Sequence, residues 1–129
     1  MGLLAGTLSD LGWSCMKASL SDLLSHIPGA PSEQWPTGER YALAFAHGTM
    51  SVGVYAPAGS DPQKPHKRDE IYIIHAGTGK LVIGKTAHSF KPGDVFFVAS
   101  GTEHRFDEFC KDFVAWVMFW GPAGGETQP

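Results

Sequence analysis

The sequence predicts a single all-β domain, a sandwich or barrel of short antiparallel strands preceded by one short helix. The chain has 129 residues, which is enough for one compact domain with a hydrophobic core. Its 16 glycines and 9 prolines favour many turns over a helical bundle. From Glu39 onward, the strand-like segments follow one another too closely to hold the crossover helices that a parallel sheet needs.

Composition narrows the class of partner. Hydrophobic residues make up 43% of the chain and charged residues 18%, which is an ordinary globular balance. The formal net charge of −3 argues against nucleic acid or an anionic membrane surface as a main partner. No apolar run approaches the roughly 18 residues that span a bilayer. Cys15 and Cys110 lack the spacing of metal ligands, so we expect reduced thiols in a cytoplasmic protein.

The chain divides into four parts. Met16 starts a stretch that already reads as a complete domain, so the residues before it are expected to be an extension. The predicted parts are an N-terminal extension (1–15), a helix with its connector (16–38), a β-barrel (39–122) and a C-terminal tail (123–129).

A helix is predicted over Ser19–Ile27. Leu20, Leu23, Leu24 and Ile27 recur at i, i+3, i+4 and i+7, the spacing of one helix face. Ser19 is expected to cap the first turn, and the following Pro-Gly pair ends the helix.

Eight strands are predicted after the connector, because short alternating or apolar segments are separated by glycine- and proline-containing turns. They are Arg40–Ala46, Met50–Ala56, Glu70–His75, Gly79–Ile83, Thr86–Ser89, Asp94–Val98, Glu103–Asp107 and Asp112–Trp120. The last of them is apolar on both faces of its alternation, which is typical of a strand buried on both sides. We expect the helix to cover part of that surface and a second subunit to cover the rest, which predicts a homodimer.

Two histidines and a carboxylate form the candidate site. His66 and Glu70 are four residues apart, so an extended backbone places them on one face, and His104 arrives on a later strand. Two imidazoles and one carboxylate can hold a divalent ion and leave positions open for substrate. On a straight strand the Cα atoms of His66 and Glu70 would be about 13 Å apart. A bend near Lys67-Arg68 is therefore expected.

The same residues carry a resemblance to a known family. His66, Glu70 and Gly77 have the spacing of the second histidine, the glutamate and the closing glycine of the first cupin motif. Gly93, Gly101 and His104 match the second cupin motif, with Ala99 in place of its proline and Glu108 in place of its asparagine. The chain thus resembles the cupin superfamily, and in particular its small single-domain members. The resemblance implies a conical jelly-roll β-barrel.

The first motif is degenerate. Lys64 stands where cupins have the first histidine of His-x-His, and Ala58 stands in place of the leading glycine. The resemblance implies a site of three histidines and one glutamate, of which this chain keeps His66, Glu70 and His104. The expected cofactor is a divalent ion: Fe, Mn, Ni or Zn.

Four further residues are predicted to line a substrate pocket. Tyr72 and Ile74 continue the face of Glu70, and Phe106 continues that of His104. Plain core packing is the alternative for Ile74 and Phe106. Lys64 is interpreted either as a cation that contacts an anionic substrate or Glu70, or as a solvated loop residue. A protonated lysine has no lone pair and cannot bind the ion.

The remaining polar residues are expected to lie away from the site. His75 points to the opposite face from Glu70, and His47 and His88 are predicted at the surface. Asp69 is expected to pair with Arg68 or Arg105.

Three functions fit these observations. The first is a metal-dependent enzyme that uses oxygenase-like or Lewis-acid chemistry on a small organic molecule. The second is a small-molecule binding or sensing module, with or without metal, that performs no turnover. The third is a metal-free isomerase or epimerase. The sequence alone leaves the choice between catalysis and binding, and the substrate, open.

Overall fold

The computed structural model describes residues 16–127, so the predicted extension (1–15) and the last two residues lie outside the described part. All eight predicted strands are present, each with bounds within two residues of the prediction. The elements are α1 (Leu20–Leu24), β1 (Tyr41–His47), β2 (Met50–Tyr55), β3 (Asp69–Ala76), β4 (Gly79–Ile83), β5 (Thr86–Phe90), β6 (Val95–Val98), β7 (His104–Asp107) and β8 (Val114–Trp120).

The strands form two antiparallel sheets. The larger sheet has the order β1-β2-β8-β3-β6, and the smaller has the order β5-β4-β7. Side chains from both sheets share one core, where the ring of Tyr72 lies 4.8 Å from that of Phe106 and Phe106 lies 4.6 Å from Phe113. Non-local antiparallel pairing thus produces the all-β fold that the sequence predicts.

Alternation along β3 aims the site residue inward. Glu70, Tyr72 and Ile74 are buried, whereas Ile73 is partly exposed and His75 is exposed. Successive side chains of a strand point to opposite faces, so Glu70 shares the interior with a core that is otherwise apolar. The outward position of His75 agrees with the prediction.

Helix α1 covers part of the outer face of the larger sheet. Leu23 is buried there against small and branched side chains of β1, β2, β8 and the residue that follows β2: Ala42, Ala44, Val54, Val114 and Ala56. The helix is shorter than predicted, because the N–H groups of His26 and Ile27 bond three residues back and tighten the chain into a turn. Ser19 occupies the N-cap position, but its side chain makes no capping hydrogen bond, so that prediction was wrong.

Strand β8 is apolar on both faces, as predicted. Ala115 and Val117 face the shared core, while Val114 and Trp116 pack with α1. Trp120, nearer the end of the strand, is partly exposed beside Phe97, with ring centroids 6.2 Å apart. The helix therefore covers only one part of the outer face.

The connector between α1 and β1 returns to the mouth of the barrel. Gln34 Nε2 donates a hydrogen bond to the carbonyl of Pro62 at 3.2 Å, and Trp35 packs edge-on against Tyr55. These contacts place Gln34 beside the loop that precedes β3 and Trp35 beside the end of β2. Within residues 16–127, no helix is long and apolar enough to cross a membrane.

Asp69 forms hydrogen bonds with backbone groups of distant residues, not an ion pair with an arginine. Its carboxylate accepts hydrogen bonds from the backbone N–H groups of Ser100 at 3.0 Å and Glu126 at 2.9 Å. Arg68 donates to the carbonyl of Thr49 instead, so the predicted pairing of Asp69 with an arginine was wrong. The two backbone donors hold the pKa of Asp69 below its ordinary value.

This lowered pKa predicts an acid-sensitive contribution to stability. The unfolded chain binds the proton more tightly at this position, so Asp69 stabilises the fold above the ordinary aspartate pKa of about 3.9 and loses that effect as pH falls through its folded pKa. We expect Asp69→Asn to lower the urea midpoint at pH 7, with the gap to wild type shrinking at pH 3. Glu33→Gln, an exposed change, is the control. A gap that is equal at both pH values would contradict this role.

Candidate metal centre

The structure brings the three predicted ligands together. One donor atom from each of His66, Glu70 and His104 lies within 4.8 Å of the others. His104 Nε2 is 3.2 Å from Glu70 Oε1, and His66 Nε2 is 4.0 Å from the same oxygen. The metal role of these residues stays a prediction, but their convergence is a property of the fold.

Different elements supply the three side chains. Glu70 projects inward from β3 and His104 from the start of β7, in the opposite sheet. His66 comes from the loop before β3, and the backbone bends at Lys67 and Arg68, where the sequence requires a bend. This bend shortens the span that would separate His66 from Glu70 on a straight strand.

The tautomer of His104 suits a ligand. Its Nδ1 lies 2.8 Å from the carbonyl of Thr102, which can only accept, so Nδ1 carries a hydrogen. In the neutral ring Nε2 then holds a lone pair directed at the site. Burial lowers the pKa of His104, but the Glu70 carboxylate and the Thr102 carbonyl outweigh burial and raise it overall. The protonated ring therefore holds its Nε2 proton more firmly than a free imidazole does, and an ion that binds Nε2 would have to displace that proton.

Glu70 offers an unsatisfied acceptor. Its side chain is 1% exposed, and Oε1 has no hydrogen-bond donor within the described part of the chain while the His104 ring is neutral; only a protonated His104, whose Nε2 lies 3.2 Å away, would supply one. A buried carboxylate oxygen without a donor is costly. Glu70 and His104 would hold a divalent cation through these lone pairs, so the donors present fit such an ion.

His66 completes the group from the loop before β3. Its ring packs edge-on against Phe119, with centroids 4.9 Å apart, and its Nε2 lies 3.1 Å from Gln63 Oε1. Burial lowers the pKa of His66 below its ordinary value, and the charge of Glu70 offsets this only in part. The ring is therefore neutral at pH 7, the form that binds metals.

Tyr72 places a phenol inside this group. Its hydroxyl donates to Gln63 Oε1 at 2.9 Å and lies 3.1 Å from His104 Nε2. Burial raises the pKa of Tyr72 well above its ordinary value, and the charge of Glu70 raises it further. Tyr72 was predicted as a pocket residue, and here it borders the ligand atoms themselves.

A cavity of about 270 Å³ opens beside the group, and His66, Glu70 and Tyr72 form part of its wall. The rest of the wall includes residues that the sequence analysis did not single out: Gln34, Trp35, Glu39, Tyr41, Tyr55, Gln63, Val117 and Phe119. Tyr41 reaches the cavity over Gly53, where a Cβ atom would overlap its hydroxyl. A glycine in a strand is a sequence signal for such a close approach.

The other predicted pocket residues lie elsewhere. Ile74 and Phe106 are 1% and 2% exposed and belong to the shared core, not to the cavity wall. Lys64 is exposed and borders a second cavity of about 170 Å³, whose wall also includes the candidate ligand His104 together with Glu103 and Arg105. Its predicted contact with substrate stays a prediction.

Comparison with known proteins now identifies the family. The family model described as "Cupin domain" matches residues 51–116, which is about half of the chain. The chain belongs to the cupin family. The matched segment contains all three candidate ligands and both predicted motifs, so the family resemblance and the jelly-roll fold that it implies are confirmed.

Individual proteins are similar over part of the chain. An uncharacterized protein of Streptomyces coelicolor is 37% identical over 75 residues, which cover 57% of this chain and 71% of that protein. The solved structure of KdgF from Halomonas sp. has a TM-score of 0.56 at 15% identity, covering 64% of this chain and 77% of that one. DMSP lyase DddQ from Ruegeria pomeroyi DSS-3 has a TM-score of 0.53 at 30% identity. The aligned part covers 64% of this chain but only 48% of DddQ.

Proposed function

We propose that this cupin is a metal-dependent enzyme that removes a proton from a small organic molecule and releases, as a neutral product, a leaving group that is cationic in the substrate. The observation that carries the proposal is the position of Tyr72. Its hydroxyl is a buried ionisable group 3.1 Å from the ligand atom of His104, and Tyr72 lines the cavity. An acid–base group beside a Lewis-acid site is the arrangement that proton abstraction next to a carboxylate or carbonyl requires.

The ligand residues have a defined task in this reaction. His66, Glu70 and His104 would hold a divalent ion, which would supply Lewis acidity to a substrate carboxylate or carbonyl. The same ion would offset the charge of Glu70, which is one of the causes of the raised pKa of Tyr72. A bound ion would thus reduce the part of the raised Tyr72 pKa that Glu70 causes and would favour the deprotonated phenol that accepts a proton.

Tyr72 would then act as the base. Its deprotonated oxygen takes a proton from the carbon next to the activated group, a carbon–carbon double bond forms, and the bond to the leaving group on the adjacent carbon breaks. A cationic leaving group departs as a neutral molecule, because it keeps the bonding electrons. Similarity to the DMSP lyase supports lyase chemistry over the oxygenase-like alternative.

The cavity wall favours a cationic group. The wall of the cavity includes the acidic residue Glu39 and four aromatic residues other than Tyr72: Trp35, Tyr41, Tyr55 and Phe119. No lysine or arginine lies among the described residues of this wall. Aromatic faces and carboxylates attract methylated ammonium or sulfonium groups, so we propose a small onium carboxylate as the substrate class.

The test is turnover by the metal-loaded protein. Full-length protein is stripped with chelator, reloaded separately with Fe(II), Mn(II), Ni(II) or Zn(II), and incubated with DMSP and with a panel of methylated ammonium carboxylates. NMR should detect an alkene product and a released neutral molecule only with loaded protein. Matched uncharged esters and thioethers should be poor substrates. Saturable binding of the panel without any product would favour the binding-module alternative.

The protein is also proposed to be a homodimer. Strand β6 is an edge of the larger sheet, and its outward side chains Val95 and Phe97 are 61% and 57% exposed beside Trp120. An apolar edge strand can pair with its own copy. We expect sedimentation to give a mass near twice 13.9 kDa at micromolar concentration, and Phe97→Glu to shift it toward the monomer. A wild-type mass near 14 kDa would contradict this proposal.

A further inference from the structure

From the geometry around His66, we infer that the side-chain carbonyl of Gln63 is a fourth protein ligand of the ion and replaces the histidine missing from the first cupin motif. This inference rests on the proposed function, since it requires that an ion binds His66, Glu70 and His104. It assigns a role to a residue outside the motif position itself.

The motif position cannot provide the missing ligand. Lys64 stands there with its side chain exposed, and a protonated ammonium has no lone pair to offer an ion. Gln63, the preceding residue, turns toward the ligand group instead. Gln63 lines both cavities, which places its side chain at the boundary between them.

Distances place the Gln63 oxygen beside one ligand atom and beside the Tyr72 hydroxyl. Oε1 lies 3.1 Å from His66 Nε2, and it accepts a hydrogen bond from the Tyr72 hydroxyl at 2.9 Å. Two donors that bind one ion at about 2.1 Å are about 3.0 Å apart when they occupy adjacent octahedral positions. Glu70 Oε1 and His104 Nε2, at 3.2 Å, have nearly the same separation.

Asp61 fixes which end of the amide faces the site. Gln63 Nε2 donates to Asp61 Oδ2, so the oxygen of the amide must point toward His66 and Tyr72. Asp61 is itself held by the Tyr55 hydroxyl and by the N–H group of Phe106, which donates to Oδ2 at 2.7 Å. A carboxylate that only accepts thereby determines the orientation of a group that can otherwise flip.

The chemistry of an amide oxygen has a consequence for metal preference. It is a neutral, hard donor. Oxygen donors suit Mn(II) and Mg(II) better than they suit ions that prefer softer ligands. With Gln63 the set becomes two imidazoles, one carboxylate and one carbonyl. We therefore expect a smaller preference for Zn(II) over Mn(II) than a site with three histidines would have.

The experiment measures metal affinity, not activity. Full-length apoprotein is titrated with Mn(II) by calorimetry and loaded with Co(II) for absorption spectroscopy. Gln63→Leu should lower Mn(II) affinity by at least about tenfold, since even outer groups that orient metal ligands are worth 10–100-fold. It should also change the Co(II) bands, which depend on the ligand set. Gln34→Leu, the same change elsewhere on the cavity wall, should match wild type in both readouts.

Further variants keep the test decisive. Gln63→Glu retains an oxygen donor and adds charge, so it should bind Mn(II) at least as tightly as wild type, and circular dichroism establishes that each variant folds. Wild-type affinity and an unchanged Co(II) spectrum in Gln63→Leu would overturn the inference. If Gln63→Leu matches wild type in this way while His104→Ala binds no ion, only the inference about Gln63 fails and the proposed metal site still stands. A wild-type protein that binds no ion would overturn both.

Discussion

Replacing His104 by Ala is expected to abolish specific metal binding. The change removes one of the three converging donors and leaves the buried Glu70 oxygen facing an empty volume. Because outer-sphere partners of metal ligands are already worth 10–100-fold in affinity, loss of a ligand should cost more than about 100-fold. Elemental analysis of protein purified without chelator measures this directly.

A thermal readout provides a second measure of the same loss. An ion at 100 times its dissociation constant stabilises the folded state by about 2.7 kcal/mol, so added metal should raise the Tm of wild type but not of His104→Ala. His75→Ala is the matched control, since His75 is exposed on the opposite face of β3. Equal metal content in wild type and His104→Ala would mean that any bound ion is held elsewhere.

Replacing Tyr72 by Phe is expected to remove catalysis while keeping the metal. The ring of Tyr72 packs 4.8 Å from that of Phe106 and is 1% exposed, and phenylalanine preserves this packing. Positioned acid–base groups contribute typically 10²–10⁴-fold, so kcat on the substrate that wild type converts should fall by at least about 100-fold. Metal occupancy, measured on the same preparation, should stay near that of wild type.

Tyr41→Phe is the control for this change. Tyr41 lines the same cavity, but its hydroxyl has no assigned part in proton transfer, and burial raises its pKa to about 12. Its variant should alter KM more than kcat. Turnover by Tyr72→Phe at the wild-type rate would contradict the role of Tyr72 as the base, even with a fully loaded site.

The sequence was sufficient for the parts of the structure that local rules govern. Alternation of apolar side chains and turn residues predicted all eight strands, and the spacing of His66, Glu70 and His104 predicted their convergence. Even the bend at Lys67-Arg68 followed from a length argument, because a straight strand could not bring His66 to Glu70.

Residues placed by long-range contacts could not be predicted in this way. The orientation of Gln63 depends on Asp61, which in turn depends on a hydroxyl from β2 and an N–H group from β7. Asp69 likewise bonds backbone groups far along the chain. Periodicity contains no information about such partners.

One departure from the motif acquires a local explanation only in the structure. Glu108, which replaces the motif asparagine, has a φ of 50°, a conformation that asparagine adopts more readily. Its carboxylate lies 2.8 Å from the Lys80 ammonium across the sheet. The substitution therefore keeps the left-handed turn and gains an exposed ion pair.

The candidate reactive groups and part of the cavity wall come from different segments of the chain. The cupin segment, residues 51–116, contains His66, Glu70, Tyr72 and His104, whereas Trp35 and Tyr41 of the cavity wall precede it. We expect mutations in this earlier stretch to change which ligands the cavity accepts without disturbing the candidate reactive groups. Two cupins that share all of these candidate residues can thus differ in ligand specificity through changes in the segment before the barrel. Sequence similarity within the barrel alone is therefore a poor guide to which ligand each one binds.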